Sequence, residues 1–249
     1  MKLVADLHIH TISSGHAYST VLENVRAAAD KGLEMIAITD HGPAMPGGPH
    51  AYHFGNLRVI PQELFGVQIL KGVEANVIDR AGNLDLSDDR LAALDIVLAG
   101  LHHVCTPNGS VVENTEMMIN VIKNPWVDVI VHPGNPDFLI DAKAVVQAAV
   151  HYDVAVELNN SSLKLSRMGS RPYCENILCL AKQYGAKIIV GTDSHFSLAI
   201  GDFSQALELL KKHDISPSAV LNTSIASIRN HLARRSNRHG SKGAINGGK

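Results

Sequence analysis

Histidines recur in this sequence directly after short aliphatic runs, often beside a carboxylate. Asp6-Leu7-His8-Ile9-His10 lies near the start, and His16 follows six residues after His10. Thr39-Asp40-His41-Gly42, Gly72-Val73-Glu74, Gly100-Leu101-His102-His103, Val131-His132-Pro133-Gly134 and Gly191-Thr192-Asp193-Ser194-His195 repeat the theme. His8 and His10 are two apart, a spacing that puts both imidazoles on one face of an extended chain. The same spacing joins Asp193 to His195. A lone histidine at a strand end is most often a hydrogen-bonded core residue, and an HxH pair alone is a weak sign of metal. Recurrence at the same point of successive runs is what needs a chemical explanation. The candidate ligands His8, His10, His16, His41, Glu74, His102, His132, Asp193 and His195 outnumber the roughly three or four a single catalytic zinc takes. An imidazole-rich set with carboxylates able to bridge suits two or three Zn2+, Mn2+ or Fe ions. Such centres fit phosphoester hydrolysis, where one ion acidifies a water and others hold phosphate oxygens. Glu74 is the expected bridge. Asp6 and Asp40 are the expected acceptors behind metal-bound imidazoles.

Positioning these groups requires a particular scaffold. Apolar runs at residues 2–6, 35–39, 67–73, 95–99, 127–131, 154–158 and 187–190 read as strands. Helical patterns near 20–31, 56–65, 87–93, 113–123, 141–151, 172–184 and 202–213 lie between them. The strands are almost wholly apolar, as in a parallel sheet covered on both faces. Strand–helix alternation implies βαβ units. The fold class is therefore α/β, a distorted (βα)7 TIM-like barrel in one domain over residues 1–235, with an open doubly wound sheet as alternative. Ligands of such folds bind beyond the carboxyl ends of the strands, where the histidines stand. Gly32 and Gly185 suit helix C-caps, Asp141 and Ser216 suit N-caps, and a last helix is expected over 217–234. Residues 236–249 are Gly-rich and aperiodic, and read as a disordered tail.

Composition narrows the function further. The chain has 249 residues, 45% hydrophobic, which permits one sizeable core. A net charge of -2 argues against a broad grip on long nucleic acid. No run approaches the ~20 apolar residues of a membrane span, and MKLVADLHIH lacks a signal peptide's apolar stretch. Three cysteines without metal spacing fit a reducing compartment, so a cytoplasmic protein is expected.

The strings DLHIHT, AITDHG, GVEAN, AGLHH, VHPGNP and GTDSHF resemble the polymerase-and-histidinol-phosphatase (PHP) superfamily. HAYST, VELNNSS and SRMGS bring the sequence close to its YcdX-like probable phosphatases. The resemblance covers about residues 3–230. It implies a distorted (βα)7 barrel with a trinuclear centre, usually of Zn2+, in a homo-oligomer, a trimer. Carried over residue by residue, it gives His8, His10, Glu74 and Asp193 to the first metal. Glu74, His102 and His132 go to the second, and His16, His41 and His195 to the third. Turnover of a small phosphorylated substrate would then run through attack by a metal-bound hydroxide, with Glu74, His102 and Asp193 acting through the metals.

Substrate contacts are less determined. Arg167 reads equally as a phosphate ligand or a solvated cation, and Asn160 and Ser161 as hydrogen-bond donors or loop-shaping residues. His103 either donates to substrate or covers the site. The Pro- and Gly-rich segment 43–55 fits a lid or oligomer contact, with His50 and His53 as surface residues. An amidohydrolase would want a Lys after a strand, and none is placed. A nuclease acting on short nucleic-acid ends and a non-catalytic metal-binding module are the remaining rivals.

Overall fold

The computed structural model describes residues 1–235. The expected disorder of 236–249 lies outside those residues. The chain opens with β1 (Ala5–Ile9), α1 (Val21–Asp30), β2 (Met35–Ile38), α2 (Tyr52–Asn56), β3 (Glu63–Leu64), β4 (Val67–Asn76) and α3 (Asp88–Ala92). It continues with β5 (Ile96–Gly100), α4 (Val111–Ile122), β6 (Val129–Ile130), α5 (Ala142–His151) and β7 (Ala155–Asn159). After these come α6 (Asn160–Lys164), α7 (Arg171–Tyr184), β8 (Ile188–Gly191), α8 (Ser204–Lys212) and α9 (Ile225–Ala233). Strands β1-β2-β4-β5-β6-β7-β8 form one parallel sheet in that order, with β3 antiparallel on β4. His10 N donates to Ser194 O at 2.9 Å just past β8, so the first and last strands meet and the sheet curls into a nearly closed barrel. This is the expected distorted (βα)7 TIM-like barrel.

Alternate strand residues divide between two cores. Ile96, Leu98, Val129 and Ile189 pack inside the barrel, while Val97, Ala99, Ile130 and Val190 face the helices. Truncating a fully buried side chain such as Leu98 to Ala costs about 2–5 kcal/mol. In β1 the alternation breaks. Ala5 and Leu7 join the inner cluster and Ile9 the outer, and the register with β2 shifts between Asp6 and Ile9. Such an irregularity re-aims side chains next to a site. Here it turns His8 inward directly after Leu7.

Local signals set the helices. Capping boxes start α1 (Thr20 with Glu23) and α4 (Ser110 with Glu113), each satisfying two orphan donors. Gly185 ends α7 in the left-handed conformation at φ +73°.

Two expected helices are corrected. Residues 56–65 are not helical throughout: α2 gives way to a 3-10 turn at Leu57–Val59, and Ile60 is extended because Pro61 follows it. Phe65 and Gly66, both left-handed, then fold β3 back onto β4. The single helix expected over 217–234 is three pieces: 3-10 turns at Pro217–Ala219 and Leu221–Thr223, then α9. Asn222 explains the break. Its buried side chain accepts from Val190 N (2.7 Å) and donates to Ala5 O (2.9 Å) and Val190 O (3.0 Å), clasping β8 to β1. Leu221 and Ile228 then close the lower end of the inner core, and the Arg235 guanidinium pairs with buried Asp128 beneath it.

Candidate metal centre

At the carboxyl end of the barrel, β4 carries the Glu74 carboxylate into a ring of five imidazoles. Its Oε1 lies 2.8 Å from His132 Nε2 and 3.0 Å from His102 Nε2. Its Oε2 lies 2.8 Å from His41 Nδ1, 3.3 Å from His8 Nε2 and 3.4 Å from His10 Nε2. From the end of β8, Asp193 Oδ1 comes within 3.2 Å of His10 Nε2 and 3.5 Å of His8 Nε2. Glu74, His8 and His10 are fully buried. His16 and His195 stand at the mouth, their ring centroids 4.7 Å apart. All nine sequence candidates thus reach one place.

The expectation that Asp193 and His195 share a face of an extended strand is not how they converge. Asp193 is left-handed (φ +53°), as are His132 (φ +37°) and Arg167 (φ +49°). Non-glycine residues there cost of order 1–3 kcal/mol each and persist where the surroundings over-determine them.

Glycines make the space. A Cβ on Gly100 would lie 2.7 Å from His132 Cε1, and one on Gly191 would lie 2.7 Å from His8 Cβ and run into Glu157 Oε1. Glu157, which sequence reasoning left without a role, is the carboxylate behind the site. Its Oε1 accepts from His8 Nδ1 (2.7 Å), and its Oε2 accepts from His132 N (2.8 Å) and Asn159 Nδ2 (3.1 Å). The signal was available: a carboxylate inside an apolar strand is buried only with partners. The expected roles of Asp6 and Asp40 change. Asp40 reaches a candidate ligand imidazole only through Ser14, whose hydroxyl donates to Asp40 Oδ1 (2.7 Å) and accepts from His10 Nδ1 (3.0 Å). Asp6 touches no imidazole; it accepts from Thr192 N, Thr192 Oγ1 and Gly201 N, fixing the chain just before Asp193.

These hydrogen bonds decide proton positions. With Nδ1 donating outward to Ser14, neutral His10 presents an Nε2 lone pair inward; His8, whose Nδ1 donates to Glu157, would present one on losing its second proton to a bound cation. Burial, with repulsion from His41 and His195, holds His10 down at about 3; burial and Arg167 hold His132 at about 3. Burial likewise lowers His102. In His8, burial is outweighed by Glu157, Glu74 and Asp193, which push it well above the usual range. Burial raises Glu74, yet His41, His102 and His8 hold its carboxyl well below the usual range; His8 and Arg167 do the same for Asp193.

A divalent cation fits this donor set. His8 Nε2, His10 Nε2, His41 Nδ1 and Glu74 Oε2 are buried without hydrogen-bond partners, a costly state unless a cation satisfies them. Three groups of donor atoms lie within 4.8 Å of one another: His10, His41 and His195; His8, His10 and Asp193; His41, Glu74 and His102.

A cavity of about 560 Å3 opens above the centre. Arg167 and Ser161 line it, as do Ser166 and His103. Arg167 Nη1 donates to Asp193 Oδ2 at 2.9 Å. Asn160 is buried and is not among the residues lining the cavity; its Oδ1 accepts from Ala206 N (2.9 Å). Segment 43–55 brings Met45 and Pro46 to the cavity. His50 is exposed, and His53 is half-buried with Nε2 3.5 Å from Asp40 Oδ2.

A parallel barrel with a multi-histidine centre at its carboxyl end defines a class of metal-binding α/β barrels. The PHP domain matches residues 6–214, and the chain belongs to that family. Among curated relatives, a probable phosphatase of Thermoanaerobacter pseudethanolicus is 51% identical over 241 residues, 96% of this chain and 98% of that one. A probable phosphatase of Acetivibrio thermocellus is 49% identical over 238 residues, with 96% and 98% covered. In fold, the chain is similar to histidinol phosphate phosphatase from Lactococcus lactis complexed with zinc, L-histidinol and phosphate. The TM-score is 0.61 at 17% identity, covering 85% of this chain and 94% of that one. A chain of archaeal ribonuclease P with mature tRNA matches with TM-score 0.58 at 15% identity, covering 94% and 91%. Likeness at that level carries the fold alone. Among the described residues no helix is long and apolar enough to cross a membrane.

Proposed function

We propose that this chain is a metal-dependent phosphatase that hydrolyses a small phosphomonoester at a trinuclear centre. The observation that carries the reading is Glu74 buried among five imidazoles, with inward donor atoms that lack partners. Relatives of half-identical sequence named probable phosphatases support it. His8, His10, Glu74 and Asp193 hold one ion; Glu74, His102 and His132 a second; His16, His41 and His195 a third. Zn2+ suits this imidazole-rich set, with Mn2+ and Fe as competitors. Ions bound there supply the positive charge that acidifies water and neutralises phosphoryl oxygens.

The chain's own part is positioning. Glu74, His102 and Asp193 are the central groups, and Glu157 and Ser14 keep the imidazoles of His8 and His10 in the binding tautomer. Arg167 spends one nitrogen on Asp193, and its remaining N–H groups are suited to a phosphate oxygen, with Ser161 beside it. Water attacks phosphorus directly, the two serines lining the cavity, Ser161 and Ser166, being hydrogen-bonded to one another at 2.9 Å. We extend the reading to a homotrimer, which light scattering on the purified protein tests.

Chelated protein given Zn2+, Mn2+ or Mg2+ singly is the direct experiment, with p-nitrophenyl phosphate as substrate. Metal-restored phosphate release, absent in His8→Ala, is expected. No release with any ion, despite full metal loading, refutes the phosphatase reading.

A further inference from the structure

The wall of the cavity above the metal centre is divided in kind. Strand order around the barrel places β7, β8 and β1 in one arc and β2, β4 and β5 in the next, with β4 and β5 across from β8 and β2 beside β1. The loops after β7, β8 and β1 bring polar groups: Ser161, Ser166, Arg167 and His16. The loops after β2 and β5 bring Met45, Pro46, Leu101 and Val104, a mostly apolar wall above His41 and His102 that His103 interrupts. Val104 is 48% exposed although it faces the cavity, so the wall continues to the rim. Among the described lining residues Arg167 is the one Lys or Arg, and Asp137 adds a carboxylate after β6.

We propose, on the phosphatase reading above, that the substrate is a monophosphate ester of an uncharged, apolar alcohol. Its phosphate lies on the Arg167 side, and its carbon skeleton lies against Met45, Pro46, Leu101 and Val104. One guanidinium serves one phosphoryl group, and a second phosphate across the cavity would face Asp137. Of several sugar hydroxyls turned to the same wall, His103 could partner one and the rest would lose water unpaired, which disfavours polyol phosphates. An alkyl or aryl skeleton loses nothing there and gains from every methylene removed from water. The cavity volume of about 560 Å3 leaves room for a skeleton of several carbons beside the phosphate.

The test is a series of unbranched alkyl phosphates, ethyl to hexyl, whose leaving alcohols differ little in acidity. Their non-hydrolysable alkylphosphonates run in parallel by calorimetry on the metal-loaded protein. We expect kcat/KM and phosphonate affinity to rise about tenfold from ethyl to hexyl, a partial share of full burial in a half-open cavity. Glycerol phosphate is expected to fall below propyl phosphate. Val104→Ser and Met45→Ser are expected to flatten the rise. Turnover with no dependence on chain length, or a preference for glycerol phosphate, overturns the inference and leaves the phosphatase reading intact. No turnover of any ester, with phosphonate affinity still climbing, overturns the phosphatase reading and keeps the apolar arm as a binding feature.

Discussion

Glu157→Gln isolates the carboxylate behind the metal centre without changing its shape. Both oxygens of Glu157 accept from buried donors: Oε1 from His8 Nδ1 at 2.7 Å, Oε2 from His132 N at 2.8 Å. An amide has only one acceptor end. If its oxygen faces His132, its NH2 group meets His8 Nδ1 and favours the tautomer with the proton on Nε2, where the lone pair is needed. If its oxygen faces His8, the His132 N–H is left buried against another donor, at about 1–3 kcal/mol. Loss of a hydrogen-bond partner behind a ligand typically weakens metal binding about 10–100-fold, or roughly 1.4–2.7 kcal/mol. Competition with a chromogenic chelator measures this directly, and metal analysis after dialysis counts the ions retained. We expect at least one ion bound 10-fold more weakly or worse. Affinity within threefold of the parent at every site would refute the tautomer argument, leaving Glu157 as a strand-packing residue.

Gly191→Ala drives a methyl into Glu157 Oε1 and His8 Cβ, so it should lower metal content and activity together; an unchanged metal count overturns the space argument. Asn222→Ala strands Val190 N, Ala5 O and Val190 O inside the protein, and a loss of about 3 kcal/mol in denaturant unfolding is expected, with the midpoint as readout. Asp40 predicts an acid limb. Burial would raise its carboxyl, but donors from His53, Ser14 and Thr11 and the charge of His10 hold it at about 2. The folded value lies below the ordinary 3.8, so this stabilisation is full above pH ~4 and is lost as pH falls towards 2. Asp40→Asn should remove that limb and about 2 kcal/mol at neutral pH, read from unfolding at stepped pH.

Much of the site was legible because parallel barrels put polar residues at one end of apolar strands. His8, His10, Glu74, His102 and His132 each stand where a β-run stops, and pattern alone collects them. Glu157 escaped because it stands inside a run, Ala155-Val156-Glu157-Leu158: its burial was readable there, but its partners, His8 Nδ1 and His132 N, were not. Asp6 was misjudged because sequence adjacency to His8 says nothing about direction. Its carboxylate turns to Thr192 instead. The helix expected over 56–65 failed at Pro61, whose effect on Ile60 is local and readable. The broken end of the barrel was not readable, since Asn222 acts through Ala5 and Val190, far away in the chain. Nor does spacing announce that Asp193 and His132 adopt left-handed backbone, a conformation imposed by the contacts around them.

The seam between β1 and β8 also orders events during synthesis. His8 and His10 leave the ribosome early, whereas Asp193 and His195 follow some 185 residues later, and the Asn222 clasp later still. At about 5–20 residues per second, the interval between His8 and His195 is of order 10–40 s. Throughout it the growing chain offers an HxH pair without the carboxylate from β8 that shares it. On the proposed assignment, a chain stalled before residue 193 lacks Asp193 and His195 of its ligand set. Weaker metal retention by chains truncated before residue 193 is what the proposed ligand assignment predicts.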